Sequence, residues 1–465
     1  MALFGIFMVN LPMIALSSSG AFIPPDDGIE RTAWWVMQIG FQFKFVSLYS
    51  LLFGVGLAHF MTRATAARTT SIQTTGPSRG ALLGIRRMAG LLLFGLAHGI
   101  LIWSGDILVT YAILGLPFLL IVRCRAMTLA VLATVLFVAS LGLSLWNALP
   151  QPSDWGFEYA DATASAEVAP EYPGANDTAD APPALDFDPW FECSSELRIA
   201  EATADRAPFI HPWVILFELG IETWDPAWEA YEFRVLRDGP FIEACGLRFA
   251  SLVDGNGANF DKWNWHILAL FCLGAALQKF GVLGSTTGPA VPPRETPPER
   301  VWLRRAAWLV IPGLILESTY AASITAESGA LVDWFAWMGP IHSIGAVLMM
   351  LGIVGALCRI QEASRRVSQL ATPCRAVGRI GRMGLTGYIA ENAVGAFLMY
   401  SWGLAWLGEV SRLQLVGLAL VIWLALTVGA HFWFDRFSMG PLEWLWRVMT
   451  YGRIRSSPRE ASIGT

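Results

Sequence analysis

Lys44, His98, Asp106, His266, Glu317, His342 and Glu391 stand inside or at the ends of long apolar runs. An ionisable side chain in such a run is costly unless it lines a polar cavity or meets a partner, so these residues point to chemistry. His98 and Asp106 are eight residues apart across the turn Trp103-Ser104-Gly105-Asp106, which makes their helix ends neighbours. An imidazole titrates near neutrality, and a carboxylate beside it orients the ring and stabilises its charged form. Together they make a general base, and His98 and Asp106 are the candidate catalytic pair. Two plainer roles stand beside that one: His98 bonded to a backbone carbonyl between helices, and Asp106 as a helix N-cap after a glycine turn. Lys44, His266, Glu317, His342 and Glu391 are candidate substrate-binding groups. Against that, Lys44 suits a buried ion pair with Glu391 or Glu317, and His266 and His342 suit structural or interfacial positions. No helix carries two histidines at i,i+3 or i,i+4. The six cysteines form neither a CxxC nor a Cys/His pair at zinc spacing, so no metal site is expected.

Helices must hold these groups in place. Gly84, Met88, Leu91, Gly95 and His98 step by four and three residues along one helical stripe. Gly384, Tyr388, Glu391 and Gly395 form another, and His342, Gly345, Met349 and Gly352 a third. Small residues on a stripe let a second helix come close, so each stripe faces protein and turns its ionisable member inward. Ten apolar runs read as membrane-spanning helices: roughly 2–17, 34–60, 82–103, 106–122, 127–149, 262–281, 303–325, 334–359, 380–402 and 411–434. They are too long for barrel strands and lack a period of two. Of 465 residues, 54% are hydrophobic and 15% charged, where a soluble domain has about 25% charged. The expected fold class is all-α: a polytopic membrane helix bundle of about ten transmembrane helices, with an extracytoplasmic insertion between helices five and six. A disordered chain, a secreted disulfide scaffold and a nucleic-acid binder are excluded, and a net charge of −5 leaves no global basic surface for a polyanion.

Arginines set the orientation. Those of 61–87, Arg123 and Arg125 after run four, Arg294 to Arg305 after run six, Arg359 to Arg382 after run eight, and Arg436 to Arg459 in the tail all fall on one side if there are ten spans. That side reads as the cytoplasm, with both termini there. The chain divides into 1–149 (helices one to five), 150–261 (the insertion), 262–434 (helices six to ten) and 435–465, a cytoplasmic amphipathic tail. Within the insertion, 150–207 has thirteen acids against Arg198 and Arg206 and reads as a flexible acidic loop. Residues 213–252 alternate apolar and charged side chains, which fits one or two amphipathic helices lying on the outer face or capping the bundle. Cys193 and Cys245 share this oxidising side, so a disulfide between them is open. No Lys or Arg precedes Arg31, so a cleaved signal peptide is not expected.

Five stretches resemble the YeiB-like family of bacterial inner-membrane proteins, domain of unknown function 418. Gly5-Ile6-Phe7-Met8-Val9-Asn10 resembles the end of the family's first helix, and Lys44-Phe45 through Leu52-Phe53-Gly54-Val55-Gly56 its KF…LFGxG stretch. Arg87, Gly95, His98, Trp103, Gly105-Asp106-Ile107-Leu108 and Tyr111 match its R…G..H….W.GDIL..Y signature. Gly381-Arg382-Met383-Gly384-Leu385-Thr386-Gly387-Tyr388 is similar to its GRM.LT.Y motif, and Gly440-Pro441-Leu442-Glu443-Trp444-Leu445-Trp446-Arg447 to its closing GP.EWLWR. These bracket nearly the whole chain. The family's upstream Asp and Arg-Gly have no counterpart before Gly5, so no role of theirs transfers, and the acidic insertion is longer than usual for the family. The resemblance implies a bacterial inner membrane. Through a distant fold-level likeness it also implies a relation to membrane acyltransferases, which move an acyl group from a cytoplasmic thioester donor to sugars or other acceptors; that step is analogy.

On that reading His98 deprotonates an acceptor hydroxyl with Asp106 beside it. A cationic rim of Arg63, Arg86, Arg87 and Arg382, with Arg379, holds the phosphates of an acyl-CoA-type donor. No permanently bound cofactor is expected. The partners are the lipid bilayer and a small-molecule or lipid-linked acceptor, with no nucleic acid. A second reading is a transporter or exporter in which Lys44, Glu317 and Glu391 are coupling or substrate groups. A third is a non-catalytic membrane subunit whose outer insertion binds a partner. A tunnel from the arginine rim to His98 favours acyl transfer; a closed inner half with symmetric repeats favours transport.

Overall fold

Apolar runs punctuated by glycine, proline and arginine fold as helices along the whole chain. The structure, a computed structural model, describes residues 1–16, 21–25, 28–69, 79–148, 198–221, 226–258, 263–282, 305–325 and 332–452. The main helices are α1 (Ala2–Ala15), α2 (Gly28–Gly40), α3 (Lys44–Thr69), α4 (Arg79–Leu101), α5 (Leu108–Ile121), α6 (Ala126–Ala148), α7 (Pro226–Arg237), α8 (Phe241–Ala258), α9 (Trp263–Lys279), α10 (Val310–Thr325), α11 (Val332–Ser364), α12 (Ser368–Gly381), α13 (Gly384–Met399), α14 (Arg412–Arg436) and α15 (Pro441–Tyr451). No strand occurs among the described residues.

Six helical segments among the described residues are long and apolar enough to cross a membrane: Gly28–Arg63, Gly80–Leu101, Ala126–Trp146, Ala307–Thr325, Met338–Ser364 and Arg412–Arg436. The ten expected runs all overlap helices, run 34–60 two of them, and α1, α5, α9 and α13 have only 14, 14, 17 and 16 residues. The lipid-facing surface is plain on α6, where Met127, Val131, Val135 and Val138 form an apolar stripe exposed by 56–64%. Val421, Val428 and Phe432 do the same on α14. Stripes of that size are a liability in water and ordinary against acyl chains.

Since lipid is as apolar as leucine, helices here associate by close packing. The α3–α9 crossing depends on it: a Cβ on Gly54 would strike the Phe271 carbonyl, and one on Gly274 the Leu51 carbonyl. α9 also packs on α6, α6 on α11, α11 on α10, and α4 on α5, while α1 lies among α3, α13 and α14. All three small-residue stripes face protein. Gly84 meets Leu119 of α5, Gly345 and Gly352 meet α10 at Leu316 and Val310, and Gly395 meets Leu11 of α1.

One expectation is corrected. Run 34–60 is not a single helix with Lys44 in its middle. It breaks at Phe41–Phe43 into α2 and α3, and Lys44 is the first residue of α3. Phe43 sits in the left-handed region at φ +64°, which ends the helical hydrogen-bond ladder. Asp106, likewise, lies just ahead of α5, which begins at Leu108.

The described part of the insertion folds as helices that cap one end of the bundle. Trp228 and Tyr231 of α7 and Leu247 of α8 are buried in one apolar cluster with Phe7, Met399 and Tyr400 of the bundle. Arg248 locks α8 onto the end of α4 by donating to the carbonyls of Ile100 and Ile102 at 3.0 and 3.4 Å. At the tip, Glu243 accepts from the Tyr231 hydroxyl at 2.9 Å, and burial, with Glu243 beside it, pushes that phenol's pKa up. Cys245 is buried with its thiol 3.8 Å from Arg248 Nη2. Cys193 and the acidic stretch up to residue 197 lie outside the described residues.

Candidate functional site

The loop Ile102–Ile107 turns the chain from α4 into α5 and sets His98 against Asp106. His98 Nδ1 and Asp106 Oδ1 are 2.9 Å apart with both side chains fully buried, although the contact is off the line of an ideal hydrogen bond. Asp106 Oδ2 accepts the Val109 N–H at 2.7 Å, which holds the first turn of α5. One oxygen of the carboxylate thus caps α5 while the other lies beside the imidazole. Gly95 makes the approach possible, since a Cβ there would stand 2.6 Å from Val109 N and 2.8 Å from Asp106 Oδ2.

The other imidazole nitrogen is engaged by a side chain, not by a backbone carbonyl. Asn392 Nδ2 lies 3.2 Å from His98 Nε2, and Asn10 Nδ2 donates to Asn392 Oδ1 at 3.1 Å. The chain fixes the tautomer. A carboxylate at Nδ1 requires the proton there, so neutral His98 offers the Nε2 lone pair, which needs a donor. Asn392 supplies its NH2, and its carbonyl is then satisfied by Asn10. Tyr388 covers the ring at 5.1 Å between centroids. A base nitrogen that keeps its lone pair and is backed by a carboxylate can take a proton from a hydroxyl.

A second buried polar group forms elsewhere in the bundle. Lys44 Nζ contacts Glu317 Oε2 at 2.5 Å and donates to the Gln38 carbonyl at 2.9 Å. His342 Nδ1 reaches the same Glu317 oxygen at 2.9 Å. Ser47 Oγ meets His266 Nε2 at 3.2 Å. Of the two carboxylates open to Lys44 in the sequence, Glu317 is the one it meets. Glu391 is fully buried and neither of its oxygens has a hydrogen-bond partner. The structure thus brings Lys44, Glu317 and His342 together, and leaves Glu391 one residue from Asn392 on α13.

At the arginine-rich end, Arg87 stacks over Trp446 at 3.8 Å and faces Phe60 at 5.4 Å. Arg382 donates to the Ser438 carbonyl at 2.9 Å and lies over Phe434 at 4.4 Å. Arg63 and Arg86 are exposed. Arg379 pairs with Asp435 at 3.0 Å. Glu443 of α15 accepts the Leu385 and Thr386 N–H groups at 2.7 and 3.0 Å, and Thr386 Oγ1 at 2.6 Å, so it caps α13. A small cleft lined by Met8, Met13, Trp34, Met37 and Gln38 opens between α1 and α2; its lining includes neither His98 nor Asp106. Among the described residues no group of three or more His, Cys, Asp or Glu stands close enough to hold a metal ion.

Asn10, Asn392, Ser47, Phe43 and Tyr320 were not singled out by sequence reasoning. Asn392 carried a signal, an amide inside an apolar run beside Glu391. The roles of Phe43 and Ser47 follow only from the break at Phe41–Phe43.

Fold and site together define a multi-pass helical membrane protein with buried polar clusters between its helices. The family model described as "Protein of unknown function (DUF418)" matches residues 294–453. The chain is 28% identical over 462 residues to the uncharacterized protein YxaH of Bacillus subtilis (strain 168), covering 97% of this chain and 92% of the relative. It is 24% identical over 463 residues to the uncharacterized protein YeiB of Escherichia coli (strain K12), covering 97% and 93%. No solved structure matches it.

Proposed function

We propose that this protein is a membrane acyltransferase with His98 as general base. The observation that carries the reading is the chain Asp106–His98–Asn392–Asn10, which leaves Nε2 of a fully buried imidazole as the basic nitrogen. An acceptor hydroxyl displaces the Asn392 amide and gives its proton to Nε2. The acceptor oxygen bonds to the thioester carbonyl carbon, the C–S bond breaks, and the departing thiolate takes the proton back from the imidazolium. Asp106 compensates the charge on the ring in between. The donor is an acyl-CoA-type thioester arriving at the arginine-rich end, where Arg63 and Arg86 are exposed for its phosphates. The acceptor is a small-molecule or lipid-linked hydroxyl compound in the bacterial inner membrane. The test is transfer of labelled acyl groups from acyl-CoA to lipid and sugar acceptors by purified protein in nanodiscs. His98→Gln should lower the rate by about 10²–10⁴-fold with the fold intact. Equal turnover in His98→Gln overturns the reading.

A second reading, a proton- or ion-coupled transporter, is supported by a different observation, the interrupted α2–α3 helix with Lys44 paired to Glu317 at the break. Substrate accumulation in vesicles without acyl transfer would select it.

A further inference from the structure

The acyl-transfer reading uses His98 and Asp106 and leaves a second buried cluster without a role. Its members come from four elements: Lys44 from the start of α3, His266 from α9, Glu317 from α10 and His342 from α11. Lys44 Nζ and His342 Nδ1 both contact Glu317 Oε2, at 2.5 and 2.9 Å. Glu317 Oε1 and His342 Nε2, both buried, have no hydrogen-bond partner. Buried polar atoms are almost always satisfied, so unpaired atoms on a carboxylate and on the imidazole touching it call for an explanation.

The donor pattern supplies one. His342 Nδ1 donates to the carboxylate, so the neutral ring carries its lone pair on Nε2, an unengaged base. Tyr320 stacks on the ring at 4.3 Å between centroids, and an aromatic face favours an imidazolium. His342 is the least enclosed member, with its side chain 7% exposed against 0% for Lys44 and Glu317.

We infer that Lys44, Glu317 and His342 form a proton-binding site, and that a proton taken up on His342 Nε2 shifts Lys44 off the carboxylate oxygen the two now share. The cluster holds one carboxylate and one ammonium. One more proton makes two cations for one carboxylate; they repel on a single oxygen, and Oε1 is the open seat for the second. Lys44 is the member whose movement matters, because its ammonium also holds the Gln38 carbonyl, which the break removes from the α2 hydrogen-bond ladder. Phe43, next to it, keeps an aromatic side chain at φ +64°, and its ring meets the His342 ring edge-on at 4.7 Å. Proton uptake therefore acts on the joint between α2 and α3.

The surroundings leave this cluster to set the balance. Among the described residues, α3 presents Lys44, α9 His266, and α10 Glu317 and Tyr320. α6, which packs on α11, has no ionisable side chain between Ala126 and Ala148. On α2, Glu30 accepts the Arg412 N–H, and Arg31 donates to the Pro25 carbonyl.

The test is nitrogen NMR of histidine-labelled full-length protein in lipid nanodiscs, with the His342 signal assigned by its loss in His342→Gln. The Nε2 signal should titrate as the pH falls from about 7 to about 4.5. Lys44→Gln should raise the proton affinity of His342 by about tenfold or more, and Glu317→Gln should lower it by as much. A His342 that stays neutral across that range, or an affinity that ignores both substitutions, overturns the site. If Lys44→Gln does not fold, the sign of the Glu317→Gln shift decides. Amide exchange at residues 38–47, corrected for its intrinsic pH dependence, should rise on the acid side in the wild type and stay flat in His342→Gln. Equal profiles overturn the link to the joint. His98→Gln should leave all of these readings unchanged while lowering acyl transfer by about 10²–10⁴-fold, so failure of one proposal is distinct from failure of the other.

Discussion

Asp106 gives one oxygen to His98 and the other to the backbone of α5: Oδ1 stands 2.9 Å from His98 Nδ1, and Oδ2 accepts the Val109 N–H at 2.7 Å. The residue that aims the imidazole is therefore also the residue that starts the next helix, and the dyad cannot drift without disturbing the α4–α5 turn.

The first prediction separates those two roles. Asp106→Asn keeps an acceptor for Val109 but turns an NH2 toward Nδ1, which drives the proton to Nε2 and removes the base. Acyl transfer should fall by about 10²–10⁴-fold with the melting temperature nearly unchanged. Asp106→Ala should lose the cap as well, costing about 1 kcal/mol in a thermal melt.

The second concerns the space for the dyad. Gly95→Ala places a Cβ against Val109 N and Asp106 Oδ2, so α5 must move; the expected cost is about 1–3 kcal/mol, together with loss of acyl transfer. Gly142→Ala on α6 meets nothing within 4 Å and serves as the control, with a melt equal to or above that of the wild type.

The third concerns α15. Glu443 satisfies two N–H groups at the start of α13 and a threonine hydroxyl, so Glu443→Ala should destabilise by about 1–3 kcal/mol and speed amide exchange at residues 385–388. Arg447 lies 5.9 Å from the Tyr451 ring. Arg447→Ala should leave exchange at 385–388 as it is and leave acyl transfer unchanged.

The fourth concerns topology. Reporter fusions after Arg125 and within 160–200 should report opposite sides of the membrane, as the arginine partition requires. The same side for both would refute the ten-span arrangement.

Much of the architecture was legible because lipid imposes it. The apolar runs mark helices, and the stripes through Gly95 and His98, through Gly345 and His342, and through Glu391 and Gly395 mark the faces that meet protein, since small residues are what allow close approach. The meeting of His98 and Asp106 was legible for a local reason: eight residues and a tight turn leave their helix ends little freedom. Tertiary structure alone decided the rest. Hydropathy cannot register a break inside an apolar run, so Phe43 at φ +64° and Lys44 at a helix start were hidden. Lys44 had two carboxylates open to it and met Glu317, 273 residues away, because α3 and α10 converge on α11 there. Asn10 and Asn392 are 382 residues apart, and only the packing of α1 on α13 makes them the chain that fixes the tautomer of His98. Periodicity says which way a side chain points along its own helix; which other helix it then meets is a property of the whole packed bundle.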